Sequence, residues 1–186
     1  MEELSDLELV QRVRGGDRQA FTSIMRRYQK RVYWTARRIV GDHHVADEVA
    51  QETFIKAYLA LGSFRNDSSF FTWLYRIAVN LSLNAVRKRQ VISYMRDSDI
   101  LRRFLPSRER ADMTAITNDL EARLHKAVSA LPEKQRSVFV LRFFDDLSYE
   151  EIAPILETSV GGLKANYFHA LRKVREFMSD ENPEHN

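Results

Sequence analysis

The chain has 186 residues, the size of one ordinary domain or two small ones, which excludes a large multi-domain enzyme. It contains no cysteine, so disulfides, thiolate nucleophiles and cysteine-based metal sites are excluded; with only 6 Gly and 4 Pro it also lacks the turns of a β-protein, and an all-α fold is expected. The net charge of +3 conceals an asymmetry of +5 over residues 1–90, +1 over 91–118 and −3 over 119–186, and 22 of the 29 basic residues are arginine.

Arginine's planar fork suits phosphates, carboxylates and aromatic faces, so an anionic polymer is the first partner to consider. No apolar run approaches the roughly 18 residues needed to cross a bilayer, and the start carries Glu2, Glu3 and Asp6. A cytoplasmic protein without membrane insertion is expected.

Apolar residues at 7, 9, 10 and 13 predict a first helix that stops at Gly15-Gly16, after which Asp17 caps the next. From Ala20 through Phe21, Ile24, Met25, Tyr28, Val32 and Ala36 to Ile39 the three- and four-residue spacing predicts one face of a long helix, with Arg26, Arg27, Lys30, Arg31, Arg37 and Arg38 opposite. Gly41-Asp42 breaks and recaps the chain for a helix from Val45 through Val49, Phe54, Ala57 and Tyr58 to Leu61. A short loop, 63–67, precedes a helix capped by Ser68 or Ser69 and running to Arg89, which completes a first bundle. Periodicity fades over 91–118, where Pro106 interrupts, and this stretch is expected to be a linker. A second helical set spans Leu120 to Leu131, Gln135 to Phe144, Ser148 to Leu156 and Val160 to Met178. The expected layout is thus two small helical bundles, 1–90 and 119–186, joined by a flexible linker at 91–118.

Three constellations carry functional content. In residues 147–178, Ser148 with Glu151 forms a capping box, Glu157-Thr158-Ser159 can turn, and the following helix presents Gly161, Gly162, Lys164, Ala165, Asn166, His169 and Arg172 outward. Helix, short turn, helix is the geometry that seats a second helix in a DNA major groove, where small residues permit close approach and Lys, Asn and His donate to phosphates or base edges. The bland alternative is a helical hairpin with a solvated face.

Residues 63–89 interleave Phe64, Phe70, Phe71, Trp73 and Tyr75 with Arg65, Asn66, Arg76 and Asn80. Aromatics beside Arg and Asn suit stacking on unpaired bases. Phe71 and Trp73 divide evenly between core and function, whereas Phe64 and Phe70, flanking a polar loop, are expected to face a partner.

On the helix after Asp42, His43 and Asp47, His44 and Glu48, Asp47 and Gln51, and Glu48 and Glu52 share faces at four-residue spacing. Two ligands without a third make a weak metal signal, so no metal is expected, and a polar protein-binding face is the better reading. There is no glycine-rich phosphate loop, no H-E-x-x-H and no G-x-S-x-G, so neither catalysis, a cofactor nor a small-molecule substrate is expected.

The segments GDRQAFTSIMRRYQKRVY at 16–33, ADEVAQETFIKAY at 46–58, SFRNDSSFFTWLYRIAVNLSLN at 63–84 and LPEKQRSVFVLRFFDDLSYEEIA at 131–153 resemble, in this order, bacterial RNA polymerase sigma factors of the extracytoplasmic-function type. The resemblance implies a first domain, 1–90, that binds core RNA polymerase and the minus-ten promoter element, and a second, 119–186, that binds the minus-thirty-five element. It implies that Asp47, Glu48, Gln51, Glu52 and Phe54 hold the polymerase, and that Phe64, Asn66, Asp67, Ser68, Trp73, Arg76 and Asn80 capture the opened minus-ten strand. Gly161, Gly162, Lys164, Ala165, Asn166, His169 and Arg172 would then hold the upstream duplex, and an anti-sigma factor is an implied further partner. Two competing readings are a stand-alone repressor or activator with one helix-turn-helix, and a metal-dependent hydrolase using His43, His44, Asp47 and Glu48.

Overall fold

A computed structural model describes residues 4–97 and 119–180, and every regular element among them is helical. In the first bundle, α1 (Asp6–Arg14) opens with a capping box in which Ser5 Oγ accepts the Glu8 amide and the Glu8 carboxylate accepts the Ser5 amide at 2.8 Å. Asp17 Oδ1 accepts the amides of Gln19 and Ala20 to start α2 (Arg18–Val40), which Gly41 ends in the left-handed conformation that glycine adopts without steric cost, at φ +76°. Asp42 caps α3 (His43–Ala60) through the Val45 amide, and Ser69, which accepts the Thr72 amide, begins α4 (Phe70–Asp97).

The periodicity read from the sequence is the core that forms: Ile24, Val32, Ala36 and Ile39 of α2 meet Ala46, Val49 and Ala57 of α3 and Leu74, Ala78 and Val79 of α4, all buried. Two residues expected inside, Met25 and Tyr58, are instead 37% and 43% exposed, because they line a groove on the outer surface. Residues 91–97, expected to belong to a linker, are helical instead: α4 continues unbroken through Asp97. The remainder of that stretch, 98–118, lies outside the described residues.

The second bundle contains α5 (Asp119–Ser129), α6 (Glu133–Phe139), α7 (Tyr149–Leu156) and α8 (Val160–Asp180). The single helix expected to run to Phe144 widens at Val140–Phe144 into a π-helical turn, in which the Asp145 amide reaches back to the Val140 carbonyl. Phe139 and Phe143 stack at 5.0 Å along it, and Phe139 stacks on Tyr167 of α8 at 5.9 Å. The wider turn delivers Asp145 to the side of the bundle that faces α2.

Ser148 and Glu151 form the expected capping box on α7, and Glu157 ends it in a left-handed conformation, φ +50°. Leu163, Ala170 and Val174 bury the inner face of α8. The two bundles pack together, α4 against α7 and α2 against both α5 and the π-helical turn.

Candidate nucleic-acid interface

The helix-turn-helix expected at 147–178 is present, α7 and α8 being joined by Glu157, Thr158 and Ser159. Gly161, Lys164, Ala165, His169 and Arg172 are exposed along one side of α8, opposite Leu163, Ala170 and Val174. The two glycines there are small for different reasons. A Cβ on Gly162 would come within 3.2 Å of Thr158 Cγ2 and 3.3 Å of Ser159 Oγ, a tight fit against the turn, whereas a Cβ on Gly161 would meet nothing within 4 Å. Only Gly161 leaves open space for a partner to approach.

Asn166 is half-buried, and one of its two amide hydrogens is donated to the Gly162 carbonyl at 2.9 Å, which leaves the other N–H and the side-chain oxygen for a base edge. Lys164 sits 5.7 Å from the Tyr149 ring, and Arg172 pairs loosely with Glu176 at 3.7 Å. Phe168, which sequence reasoning did not single out, lies on the same side and is 63% exposed. Its signal was there: it stands one helical turn beyond Lys164 on the outward stripe.

The aromatic cluster before α4 corrects an expectation. Phe64 and Phe70 are 5% and 4% exposed, because they bury against one another and against Trp73 at ring distances of 5.1–5.8 Å rather than presenting themselves to a partner. Arg14 pins the loop from beneath, donating to the carbonyls of Leu61 and Phe64. What remains outside is polar: Asn66, held at φ +59°, Asp67, a half-buried Ser68 and, one face along α4, the exposed Asn80. Trp73 is half-buried. Arg76 is engaged across the molecule, its Nε donating to the Pro154 carbonyl at 2.8 Å.

On α3, Glu48, Gln51 and Glu52 are exposed and Asp47 half-buried, with local partners for two of them: His43 lies 3.5 Å from Asp47 and Lys56 2.9 Å from Glu52. Phe54 is 5% exposed and forms the floor, not the rim, of a groove of about 800 Å³ between α2 and α3. Its walls hold Met25, Trp34, Ile55, Tyr58 and Leu59, large apolar side chains that are all exposed. The acidic face therefore borders an apolar one, which composition alone did not reveal. Among the described residues there is no cluster of three or more His, Asp or Glu able to hold a metal, so His43, His44, Asp47 and Glu48 do not converge on one, and no helix is long and apolar enough to cross a membrane.

Comparison with known proteins places two family models on the chain, Sigma-70 region 2 over residues 24–92 and Sigma-70, region 4 over residues 121–174. The chain is 40% identical over 180 residues to the ECF RNA polymerase sigma-E factor of Escherichia coli K12, covering 93% of this chain and 94% of that one. It is 38% identical over 178 residues to the RNA polymerase sigma-H factor of Pseudomonas aeruginosa, covering 91% of each. Among solved structures, the sigma factor RpoE in complex with the anti-sigma factor NepR from Bartonella quintana is similar, with a TM-score of 0.67, 25% identity, and coverage of 87% of this chain and 98% of that one. CnrH in complex with the cytosolic domain of CnrY shares the fold, with a TM-score of 0.72 and 23% identity over 95% and 99% of the two chains.

Proposed function

The chain belongs to the sigma-70 family as an RNA polymerase sigma factor of the extracytoplasmic-function type, and from that premise we propose how its two bundles divide the work. It directs core RNA polymerase to promoters, under the control of an anti-sigma factor, and is not an enzyme. In our reading, residues 1–90 engage the polymerase and the opened minus-ten strand, and residues 119–186 engage the minus-thirty-five duplex.

Within that division α8 is the upstream reader. The observation that carries it is the uncovered side of α8, along which Lys164, His169 and Arg172 follow the open space at Gly161. Lys164 and Arg172 neutralise phosphates and set the register, while the side-chain oxygen of Asn166 receives a base amine, from adenine or cytosine. The acidic side of α3, Asp47, Glu48, Gln51 and Glu52, holds the polymerase, with Phe54 acting from the groove floor. Asn66, Asp67, Ser68 and Asn80 contact the extruded strand; Phe64 supports that loop from inside, and Trp73 and Arg76 complete the surface. Extruding a base from the stack costs a few kcal/mol, which pocket contacts offset. The protein works in the cytoplasm, alongside the polymerase.

Run-off transcription tests the whole reading: purified chain is added to bacterial core polymerase on linear genomic fragments, and the starts are mapped. Discrete starts sharing a two-part upstream sequence are expected. No transcripts, together with operator binding by the chain alone, would instead identify a stand-alone repressor.

A further inference from the structure

Helix α1 takes no part in the contact surfaces assigned above, yet its last residue holds the loop that precedes α4. The guanidinium of Arg14 donates from Nε and Nη2 to the Leu61 carbonyl, each at 3.1 Å, and from Nη2 also to the Phe64 carbonyl. One planar fork therefore spans two carbonyls that stand 47 and 50 residues further along the chain. The helix behind the fork is itself fixed. Leu9 and Val10 are buried, and at the other end of α1 Asp6 accepts from Arg27 Nη1 at 2.5 Å and from the Tyr28 hydroxyl, both on α2. This arrangement owes nothing to the seam where the two bundles close on one another, since every partner named lies in the first bundle.

The far end of the loop is held as well. Phe64 rests on Phe70 and Trp73, and Ser69 Oγ accepts the Thr72 amide at 3.1 Å. Between these anchors Arg65, Asn66 and Asp67 are exposed and Ser68 is half-buried. Asn66 stands at φ +59°, a conformation that a residue other than glycine keeps where the surrounding chain holds it there.

We propose that Arg14 is a positioning residue for strand capture: by clasping the Leu61 and Phe64 carbonyls it presets loop 65–68 in the shape that receives an unstacked base, without touching the strand itself. The proposal rests on the assignment of the minus-ten strand to Asn66, Asp67 and Ser68 made above. A loop ordered beforehand loses little further freedom when a base enters, and it adapts poorly to a wrong base, so affinity and selectivity rise together. The fork matters more than the charge, because a lysine ammonium keeps the charge but presents no plane to span both carbonyls.

The test uses holoenzyme, the full-length chain bound to core polymerase. It is titrated at several salt concentrations with a fluorescent single-stranded oligonucleotide carrying the minus-ten sequence of a start mapped by run-off transcription, and with single-base variants of it. Arg14→Gln is expected to bind the matched strand about tenfold more weakly and to narrow the gap between matched and mismatched strands. Its salt slope should equal the parent's, because no phosphate contact has been removed. Arg14→Lys should share most of the loss, and hydrogen exchange over residues 61–68 should quicken in both variants while α8 exchanges as before. Strand binding equal to the parent's in Arg14→Gln would overturn the proposal. So would full recovery in Arg14→Lys or a salt slope lower by about 1, either of which would make Arg14 a direct phosphate contact. A loss shared equally by the upstream duplex would mean general destabilisation and overturn it too. Asn66→Ala keeps the two readings apart: if it weakens the matched strand and Arg14→Gln does not, only the role of Arg14 falls, whereas an inert Asn66→Ala removes the strand from this loop and ends both.

Discussion

Residues 1–90 carry a net charge of +5 and residues 119–186 one of −3, yet the second, acidic part also presents an outward basic side, along α8. The first bundle directs Arg37, Arg38, Arg76 and Arg87 toward its neighbour, while the second gathers Lys164, His169 and Arg172 on one outward stripe. Net charge per segment therefore does not show which helix faces are basic. What matters is which basic side chains stay exposed once the helices have packed, and that is a tertiary property.

The largest expected effect sets the two bundles apart as folding units. Phe139 is 1% exposed and stacks on both Phe143 and Tyr167, so Phe139→Ala should cost about 3–5 kcal/mol. Leu74, fully buried in the first bundle, should cost about 2–5 kcal/mol as Leu74→Ala. Urea unfolding should show two transitions, each moved by its own substitution; a single transition moved by both would make the chain one unit and erase the distinction.

Arg136 tests the seam from the other side. It serves the carbonyls of Ile39, Ser129 and Leu131, and Arg136→Ala should destabilise the second bundle by about 2–3 kcal/mol while also loosening it from α2. Urea unfolding read together with energy transfer between dyes on Ser23→Cys and Ser179→Cys, both exposed positions in a chain without cysteine, would show both; a stability loss with unchanged energy transfer would confine Arg136 to its own bundle.

On α8 the contrast is between reading and holding. Asn166→Ala should change preference at one base pair by about 1–2 kcal/mol, whereas Lys164→Ala should weaken all upstream duplexes alike and lower the salt slope by about 1. Fluorescence anisotropy over a panel of single-base variants at several salt concentrations separates them, and equal losses on every sequence from both changes would end the assignment.

The same capping box opens α1 and α7, through Ser5 with Glu8 and Ser148 with Glu151. Ser5→Ala and Ser148→Ala should each cost about 1 kcal/mol, seen as a small fall in the melting temperature of the matching bundle. Unequal losses would mean that one of the boxes supports more than its own helix.

The finest test is pH, because two groups at the seam pull in opposite directions. Burial, then Arg37 and Arg38 of α2 and Arg136 of α6, hold His125 below its ordinary 6.5, with Glu121 of α5 opposing. Burial raises Asp145 above its ordinary 3.8, against the Thr35 hydroxyl and Arg38 and Arg31 of α2, while burial and then the Asp145 charge push Tyr75 of α4 up to about 12. As pH falls below 6.5 the open chain takes up the His125 proton first, so closure weakens. Nearer the carboxylate range the closed chain takes up the Asp145 proton first, so closure recovers. Energy transfer against pH should dip and rise again, with His125→Gln removing the fall and Asp145→Asn the recovery; a flat profile in the parent chain would remove both groups from the seam.

Much of this was legible in the sequence. Asp17, the Ser148–Glu151 box and the spacing from Ala20 to Ile39 place helix starts and inner faces because they depend on local chemistry. Phe64 and Phe70 read as exposed because they flank polar residues, but a loop of aromatics can make a core of its own. The widening at Val140–Phe144 has no periodic signature, since a one-residue insertion into a helical turn leaves the apolar spacing nearly intact. The partners of Arg76 and Arg87 lie 78 and 46 residues away and could not be read from any local window.

The length of α4 has one last consequence. Its 28 residues make a rod of about 42 Å, and the chain leaves for the second bundle only at its far end. Whatever path residues 98–118 take, they span at most about 75 Å, so the second bundle stays on a leash anchored at Asp97. Its local concentration beside the first bundle is set by that leash and not by how much protein the cell makes. Any ligand that parts the seam must therefore outcompete a neighbour that dilution cannot remove.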